Sequence, residues 1–270
     1  MPELPEVETI ARGLRGAVTG KTIARAEVSL KKMAVAPPGV AFERSLRGER
    51  IVGVGRRGKY AVLSLASGRS LVISLRMTGR LVVQREAEPP YPYAYVILHF
   101  TDETRLVFAD VRQFGRMRLV EPGEPWDADL GIEPFSRDFT PERFIGMLSG
   151  RTTPIKVFLL DQRRIAGIGN IYACEALWEA GIRPGKPARS LTKPAARRLH
   201  HALVDVLERA VEMRGSSVDD YVDAEGLKGG FQNVLSVYGK AGTNCPRCKG
   251  EVVRTVIAQR GTWWCRTCQK

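Results

Sequence analysis

Residues 59–83 read KYAVLSLASGRSLVISLRMTGRLVV, and this stretch decides which fold the N-terminal half of the chain adopts. Three runs of apolar and β-branched residues alternate here with the turn-forming triplets SGR and MTG. Similar runs lie on both sides of it, between about residues 22 and 120: TIARAEVSL, RIVGVG, YAYVILHF, RLVFAD and RMRLV. Short runs separated by tight turns favour antiparallel pairing over βαβ units. We therefore predict an antiparallel β-sandwich.

Helical patterns flank these strands. At the start of the chain, apolar residues recur at steps of three and four, which predicts an N-terminal helix: Val7, Ile10, Leu14 and Val18. After a Pro-rich linker at 121–139, Thr140 and Thr153 each precede a proline, and Thr192 opens a longer pattern that ends near Met213. The prediction is an α+β protein with an N-terminal domain at 1–133, a helical domain at 134–230 and a C-terminal segment at 231–270.

The charge of the chain points to a polyanionic partner. Lys and Arg number 42 against 29 Asp and Glu, giving +13. Residues 231–270 hold seven of the basic residues and one acid. Such an excess suits nucleic acid, because Lys and Arg neutralise phosphates. An anionic membrane surface is the alternative, although no basic amphipathic helix stands out. No run approaches the roughly 18 apolar residues of a membrane span. MPELPEVETI lacks the basic start of a signal peptide, so we expect a cytoplasmic, nucleoid-associated protein.

Four cysteines form two CxxC pairs separated by sixteen residues, Cys245 with Cys248 and Cys265 with Cys268. This spacing is typical of a tetrahedral site for one Zn²⁺, and four thiolates make such a site structural rather than catalytic. Two disulfides are the alternative, which a reducing cytosol disfavours. The metal would fix the hairpin VVRTVIAQRGTWW between the pairs. We expect the fifth cysteine, Cys174, to be buried in a helix.

The N-terminus offers a nucleophile. Removal of Met1 would leave Pro2 with a secondary amine. An α-amino group titrates at about 7.7–8.0, so part of it is unprotonated near pH 7 and can attack a carbonyl-like carbon. Glu3 and Glu6 could move protons beside it. The alternative is an ordinary helix start, where proline and acidic residues are favoured.

Three motifs now combine: PELPEVETI at 2–10, GxGNIYxxE at 167–175 and the terminal CxxC…QRGTxxCxxC. Together they resemble the formamidopyrimidine-DNA glycosylase family over nearly the whole chain. The resemblance implies a β-sandwich, a helical domain with a helix-two-turn-helix and a zinc finger, with double-stranded DNA in the cleft between domains. It also implies excision of flipped-out 8-oxoguanine and formamidopyrimidines, followed by β,δ-elimination at abasic sites.

The resemblance assigns catalytic roles to single residues. Pro2 would attack C1′ and form a Schiff base. Glu3 would help to open the sugar ring, with Glu6 in support. Lys59, in the RRGKY turn, would contact the phosphate beside the lesion; without the resemblance it is a solvated hairpin cation. Arg260 would grip the phosphates around the flipped nucleotide, a task that suits a planar guanidinium.

Other residues would bind DNA. Asn170 lies at a helix start, where free N–H groups favour an anion, although it could simply cap the helix. The secondary contacts by this reasoning are Tyr238, Lys156, Arg254 and Tyr93. The segment from Ser216 to Phe231 aligns with the family's lesion-capping loop, although its acids Asp219 and Asp220 leave the detailed contacts open.

Met77, Arg112 and Phe114 match the family's void-filling set, which occupies the space left by the flipped base. Arg112 would face the orphan cytosine. The alternative is that Met77 and Phe114 are core residues at strand ends. The set also separates this chain from the endonuclease VIII group, which removes oxidised pyrimidines and typically begins PEGPE.

The chain departs from the family pattern at Ser74, Tyr93 and Tyr95, where relatives often carry histidine, and this affects expected phosphate contacts rather than the Pro2–Glu3 chemistry. Two other functions stay open. One is an endonuclease VIII-like glycosylase, and the other is a non-catalytic zinc-ribbon protein that binds damaged DNA. We expect a monomer.

Overall fold

The computed structural model describes residues 1–217 and 227–270. The chain forms two compact units, one of Met1–Ala128 with Met213–Gly230 and one of Asp129–Glu212 with Phe231–Lys270. The lesion-capping loop expected at 216–231, with Asp219 and Asp220, lies largely outside the described residues. Within the described ranges, no helix combines the length and the apolar character that crossing a membrane requires.

The first unit begins with helix α1 (Leu4–Val18), whose periodic apolar residues are buried as expected. Nine strands follow: β1 (Ile23–Val28), β2 (Ala34–Val35), β3 (Ile51–Arg57), β4 (Tyr60–Leu65), β5 (Ser70–Ser74), β6 (Gly79–Arg85), β7 (Ala94–Phe100), β8 (Thr104–Asp110) and β9 (Arg116–Val120). A short helix, α2 (Phe42–Leu46), lies between β2 and β3. The sequence did not predict α2 or the two-residue β2, because neither is long enough to show a period.

The strands form two sheets, ordered β1-β7-β8-β6 and β2-β9-β5-β4-β3. All pairs are antiparallel except β2 with β9, which is parallel. Inward side chains of both sheets join one apolar core, and α1 packs against β3 and β4. The predicted antiparallel sandwich is confirmed.

The second unit contains four α-helices and a hairpin: α3 (Pro141–Leu148), α4 (Ile155–Leu160), α5 (Asn170–Glu179), α6 (Lys193–Glu212), β10 (Val252–Ile257) and β11 (Arg260–Cys265). The Thr140 hydroxyl caps α3 by accepting from Arg143 N at 3.2 Å, as expected. Thr153 does not cap α4. The N-cap is Pro154, because Pro154 pairs with Pro187 and Ile155 N donates to Lys186 O at 2.7 Å.

Candidate active site and nucleic-acid interface

The N-terminus is held by a reciprocal capping box. Glu3 N donates to Glu6 Oε2 at 2.7 Å, and the Glu3 side chain accepts from the backbone of Glu6. The second oxygen of Glu6 accepts from Ser216 N at 2.7 Å. Pro2 is buried and Glu3 is only 4% exposed. The segment therefore has an ordinary helix start that also fixes Pro2 and Glu3 in one position.

Lys59 lies in the two-residue turn between β3 and β4, after Gly58 with φ +55°. Arg56 connects this turn to α1: its Nη1 donates to Gly58 O at 2.9 Å, and its Nε is 3.1 Å from Glu8 Oε2. Burial raises the pKa of Glu8, but hydrogen bonds from Arg12 and Arg56 outweigh it and hold that pKa below its ordinary value. The lysine-bearing turn and the helix that begins near Pro2 are thus fixed to each other.

Met77, Arg112 and Phe114 lie together at one surface of the first unit. Arg112 Nη1 is 2.9 Å from Met77 Sδ, and the guanidinium is 5.1 Å from the centroid of the Phe114 ring. Met77 is 42% exposed and Phe114 51%. Neither is a core residue, so the apolar side chains are displayed where a DNA partner could contact them. Tyr93 is also exposed.

In the second unit, two side chains contact the start of β11, the strand that begins at Arg260. Lys156 is fully buried, and its Nζ donates to Gly261 O at 2.8 Å and to Thr262 Oγ1 at 2.7 Å. Asn170 Nδ2 also donates to Gly261 O, at 3.1 Å. Arg260 itself is exposed. In this structure Lys156 and Asn170 support the backbone beside Arg260.

Tyr238 and Arg254 meet at Trp263, which lies on β11. The rings of Tyr238 and Trp263 are 4.4 Å apart between centroids, and the Arg254 guanidinium is 5.6 Å from the Trp263 ring. Tyr238 N also donates to Glu175 Oε1 at 2.8 Å. Basic and aromatic groups therefore share one face of the hairpin, as nucleic-acid contacts often do.

The four cysteines fit one structural zinc ion. Their sulfur atoms all lie within 4.8 Å of one another. Cys245 Sγ is 3.8 Å from Cys268 Sγ, and Cys248 Sγ is 3.4 Å from Cys265 Sγ, so no disulfide links them. Sulfur ligands about 2.3 Å from a tetrahedral zinc lie about 3.8 Å apart. The expected hairpin, β10 and β11, lies between the two pairs.

Trp178 is not one of the four cysteine ligands, but it forms a hydrogen bond with one of them. Its Nε1 donates to Cys245 Sγ at 3.2 Å, and Arg247 lies 4.3 Å from the Trp178 ring. Burial raises the pKa of Cys245, but hydrogen bonds, with that of Trp178 foremost, lower it to about 6. Cys174 is fully buried on α5, as expected.

Sequence reasoning missed several supporting residues. Glu175 accepts from the backbone N–H groups of Ser236, Val237 and Tyr238 at 2.7–3.0 Å. Asp110 Oδ1 accepts from Arg112 N at 3.1 Å. Glu175 and Asp110 stand in the quoted GxGNIYxxE motif and in the RLVFAD run. An acid inside an apolar run was the available signal, but its partners lie elsewhere in the chain.

Comparison with known proteins agrees with this geometry. The family model of the formamidopyrimidine-DNA glycosylase N-terminal domain matches residues 1–117. That of the H2TH domain matches 130–222, and that of the zinc finger found in FPG and IleRS matches 244–270.

Single proteins are similar over the full length. The chain is 45% identical to the formamidopyrimidine-DNA glycosylase of Heliobacterium modesticaldum, with 100% of both chains covered. A mutant FPG of Lactococcus lactis, solved with Fapy-dG-containing DNA, superimposes with TM-score 0.92 at 35% identity and complete coverage of both chains. The wild-type Lactococcus lactis FPG, solved with DNA containing an oxidised pyrimidine, gives 0.91 at 35% identity, again with complete coverage. The chain belongs to the formamidopyrimidine-DNA glycosylase family.

Proposed function

We propose that this chain is a DNA glycosylase and abasic-site lyase that excises oxidised purines from double-stranded DNA through the amine of Pro2. The observation that carries the proposal is the N-terminal capping box, which fixes buried Glu3 directly beside Pro2, itself buried. A reactive amine at a mobile chain end would lose the advantage of orientation. Family membership supports the assignment.

The proposed reaction starts with the Pro2 amine. It attacks C1′ of the damaged nucleotide, the bond from C1′ to the base breaks, and Glu3 supplies a proton to the opening sugar ring. The resulting iminium makes the C2′ proton acidic. Loss of this proton expels the 3′ phosphate, and a second elimination expels the 5′ phosphate. Lys59 would hold the adjacent phosphate.

We propose that side chains of the second unit bind the phosphates of the DNA backbone. Arg260 and Arg254 are exposed cations on the hairpin, and Tyr238 and Arg254 both contact the Trp263 ring. Lys156 and Asn170 bind Gly261, so we propose that they act on DNA chiefly by positioning Arg260. The zinc ion, when bound to the four cysteines, fixes the hairpin and takes no part in the chemistry.

The proposal is tested by incubating a duplex that carries 8-oxoguanine opposite cytosine with the protein and borohydride. We expect a covalent adduct, mapped by mass spectrometry to the Pro2 nitrogen. The intact mass shows whether Met1 has been removed. Pro2→Gly should abolish the adduct while leaving zinc content and DNA binding nearly unchanged.

The matched control is the same chain with a short extension before Pro2, which keeps every side chain but blocks the amine. An adduct of unchanged yield in this control would refute the assignment of Pro2. Lesion binding without an adduct, in protein that lacks Met1, would instead favour the non-catalytic zinc-ribbon protein.

One observation favours a second substrate class. The similar Lactococcus lactis FPG was solved with DNA containing an oxidised pyrimidine. The duplex series should therefore include an oxidised pyrimidine, and a preference for it would make the chain endonuclease VIII-like in activity. We also propose the division into 1–133, 134–230 and 231–270 as functional segments, and a location at the bacterial nucleoid, because DNA is the partner.

A further inference from the structure

Asp110, at the end of β8, is a carboxylate with 1% exposure that connects two turns of the first unit. Its Oδ1 accepts from the Thr78 hydroxyl and from Arg112 N, the latter at 3.1 Å. Its Oδ2 accepts from Gly115 N at 2.7 Å. Thr78 Oγ1 in turn accepts from Arg112 N at 3.1 Å. One buried side chain thus joins the turn after Met77 to the turn that carries Arg112.

The second of these turns needs such support because its backbone is strained. Gln113, between Arg112 and Phe114, has φ +57°, a conformation that residues other than glycine adopt at a cost. Gly115 has no room for a side chain, since a Cβ there would lie 2.5 Å from Phe108 Cζ and 3.1 Å from Asp110 Oδ2. The turn is therefore held against its local preference by long-range contacts.

Tyr95 holds the turn from another direction. Gln113 Nε2 donates to the Tyr95 hydroxyl at 3.0 Å. The β7–β8 register shifts between Ala94 and Val96, so Tyr95 lies at a bulge, a feature that redirects a side chain. The Tyr95 hydroxyl gives the turn a hydrogen bond that a phenylalanine could not.

We propose that Thr78, Asp110 and Tyr95 are positioning residues that set the selectivity of Arg112 for the base opposite the lesion. The inference rests on the proposed function, in which Arg112 faces the orphan base. A guanidinium only donates hydrogen bonds. Cytosine offers two acceptors, N3 and O2, on its pairing edge, whereas adenine offers one acceptor beside an amino group. Discrimination between them thus depends on where the turn places the guanidinium.

The test measures binding to duplexes that contain tetrahydrofuran, a stable abasic-site analogue, opposite cytosine or adenine. This readout requires no catalysis, so it stands apart from the proposed chemistry. Three nearly isosteric variants are compared with the parent: Tyr95→Phe, Thr78→Val and Asp110→Asn. Tyr91→Phe is the matched control, because it removes a hydroxyl bonded to Arg80 at 3.1 Å on the same sheet. Arg112→Ala shows how far the ratio of affinities falls when the guanidinium itself is removed.

We expect Tyr95→Phe and Thr78→Val each to reduce the ratio of cytosine to adenine affinity by about fivefold, the equivalent of one hydrogen bond. Tyr91→Phe should keep the parent ratio. A merely structural role would lower the melting temperature and weaken both duplexes equally. Asp110→Asn should reduce the ratio further, and Tyr95→Phe preserves the test if Asp110→Asn does not fold.

A parent with no preference for cytosine, or Tyr95→Phe and Thr78→Val variants that keep the parent ratio, would overturn the inference. Excision of 8-oxoguanine is measured on the same samples. Selective binding without excision would refute the proposed function and leave the positioning role standing. Excision of 8-oxoguanine by variants whose ratio of cytosine to adenine affinity equals that of the parent would support the proposed function and refute the positioning role.

Discussion

The sandwich unit and the zinc hairpin both expose basic side chains, but the apolar clusters that support them differ greatly in size. Behind the sandwich's functional turns, the described residues form one apolar cluster with 25 buried members. The cluster beneath the hairpin has five buried members, and three of them are cysteines: Cys174, Val237, Cys245, Val252 and Cys265. A region with so little apolar area to bury depends on a metal and on a few buried polar bonds.

The two regions should therefore respond differently to the loss of a single hydrogen bond. In the sandwich, a lost hydrogen bond at a turn leaves the core intact, so selectivity should change before stability does. Around the hairpin, Lys156 on α4 and Glu175 on α5 each bind more than one polar group, so the loss of either side chain leaves buried partners unpaired. The following predictions test the contrast.

Zinc removal should have the largest effect. Chelation, or Cys265→Ser, should abolish hydrogen-exchange protection over 240–270 and reduce DNA affinity at least a hundredfold, since the apolar cluster described beneath the hairpin is small and contains metal-binding cysteines. Protection in β3–β9 should remain near that of the zinc-loaded protein. Parallel loss of protection in both regions would contradict the contrast, and zinc readdition to the chelated sample controls for irreversible damage.

The next effect is a pair of opposite pH dependences. The pKa of Glu8 is held below 4.5, so its stabilisation is present above that pH and is lost as the pH falls through the lowered value. Burial raises the pKa of Glu175 despite three backbone N–H donors, so its stabilisation is full below about 4.5 and declines as the pH rises through the raised value.

Glu8→Gln should therefore cost about 1 kcal/mol at pH 7 and less at pH 3.5. Glu175→Gln should cost more at pH 5.5 than at pH 8.5. Hydrogen exchange in α1 and in α5 reports the two sites separately, with zinc in excess. Each variant serves as the control for the other, and dependences of the same sign would show that one of the two assignments is wrong.

The smallest effect concerns Trp178. Trp178→Phe removes the N–H donated to Cys245 but keeps an aromatic ring beside Arg247. A hydrogen bond donated to a thiolate ligand stabilises its charge and its bond to zinc, so zinc transfer to a coloured chelator should become about tenfold faster when that bond is lost. Trp126→Phe, in the other unit, is the control and should leave the rate unchanged. An unaltered rate in Trp178→Phe would show that the indole serves packing alone.

Much of this fold could be predicted from local sequence. The period of α1, the run-and-turn pattern of the sandwich and the CxxC spacing each depend on residues close together in the chain. Thr153 misled because a proline pairing across 33 positions, from Pro154 to Pro187, moved the helix start. No local signal reports such a contact.

The residues of the candidate site also fall into those that local sequence predicts and those that only the fold reveals. Pro2, Glu3 and Arg260 stand in recognisable motifs, whereas the residues that position them do not. Glu175 binds amides 61 to 63 residues away, and Lys156 reaches a carbonyl 105 residues away. From the sequence, Lys156 is expected to be a DNA-binding cation. Only the fold shows that its amine donates hydrogen bonds to Gly261 O and Thr262 Oγ1.

The closed stem at 213–217 and 227–230 has a consequence for protein engineering. Gly230 N donates to Met213 O at 2.8 Å, Gly229 N donates to Ser217 Oγ at 2.9 Å, and a Cβ on Gly229 would lie 2.7 Å from Gly215 C. The glycines and the bond from Ser216 N to Glu6 fix both ends of the segment whatever joins them. Since closure entropy grows only slowly with length, a reporter sequence inserted between Ser217 and Leu227 would begin and end at positions that these bonds hold.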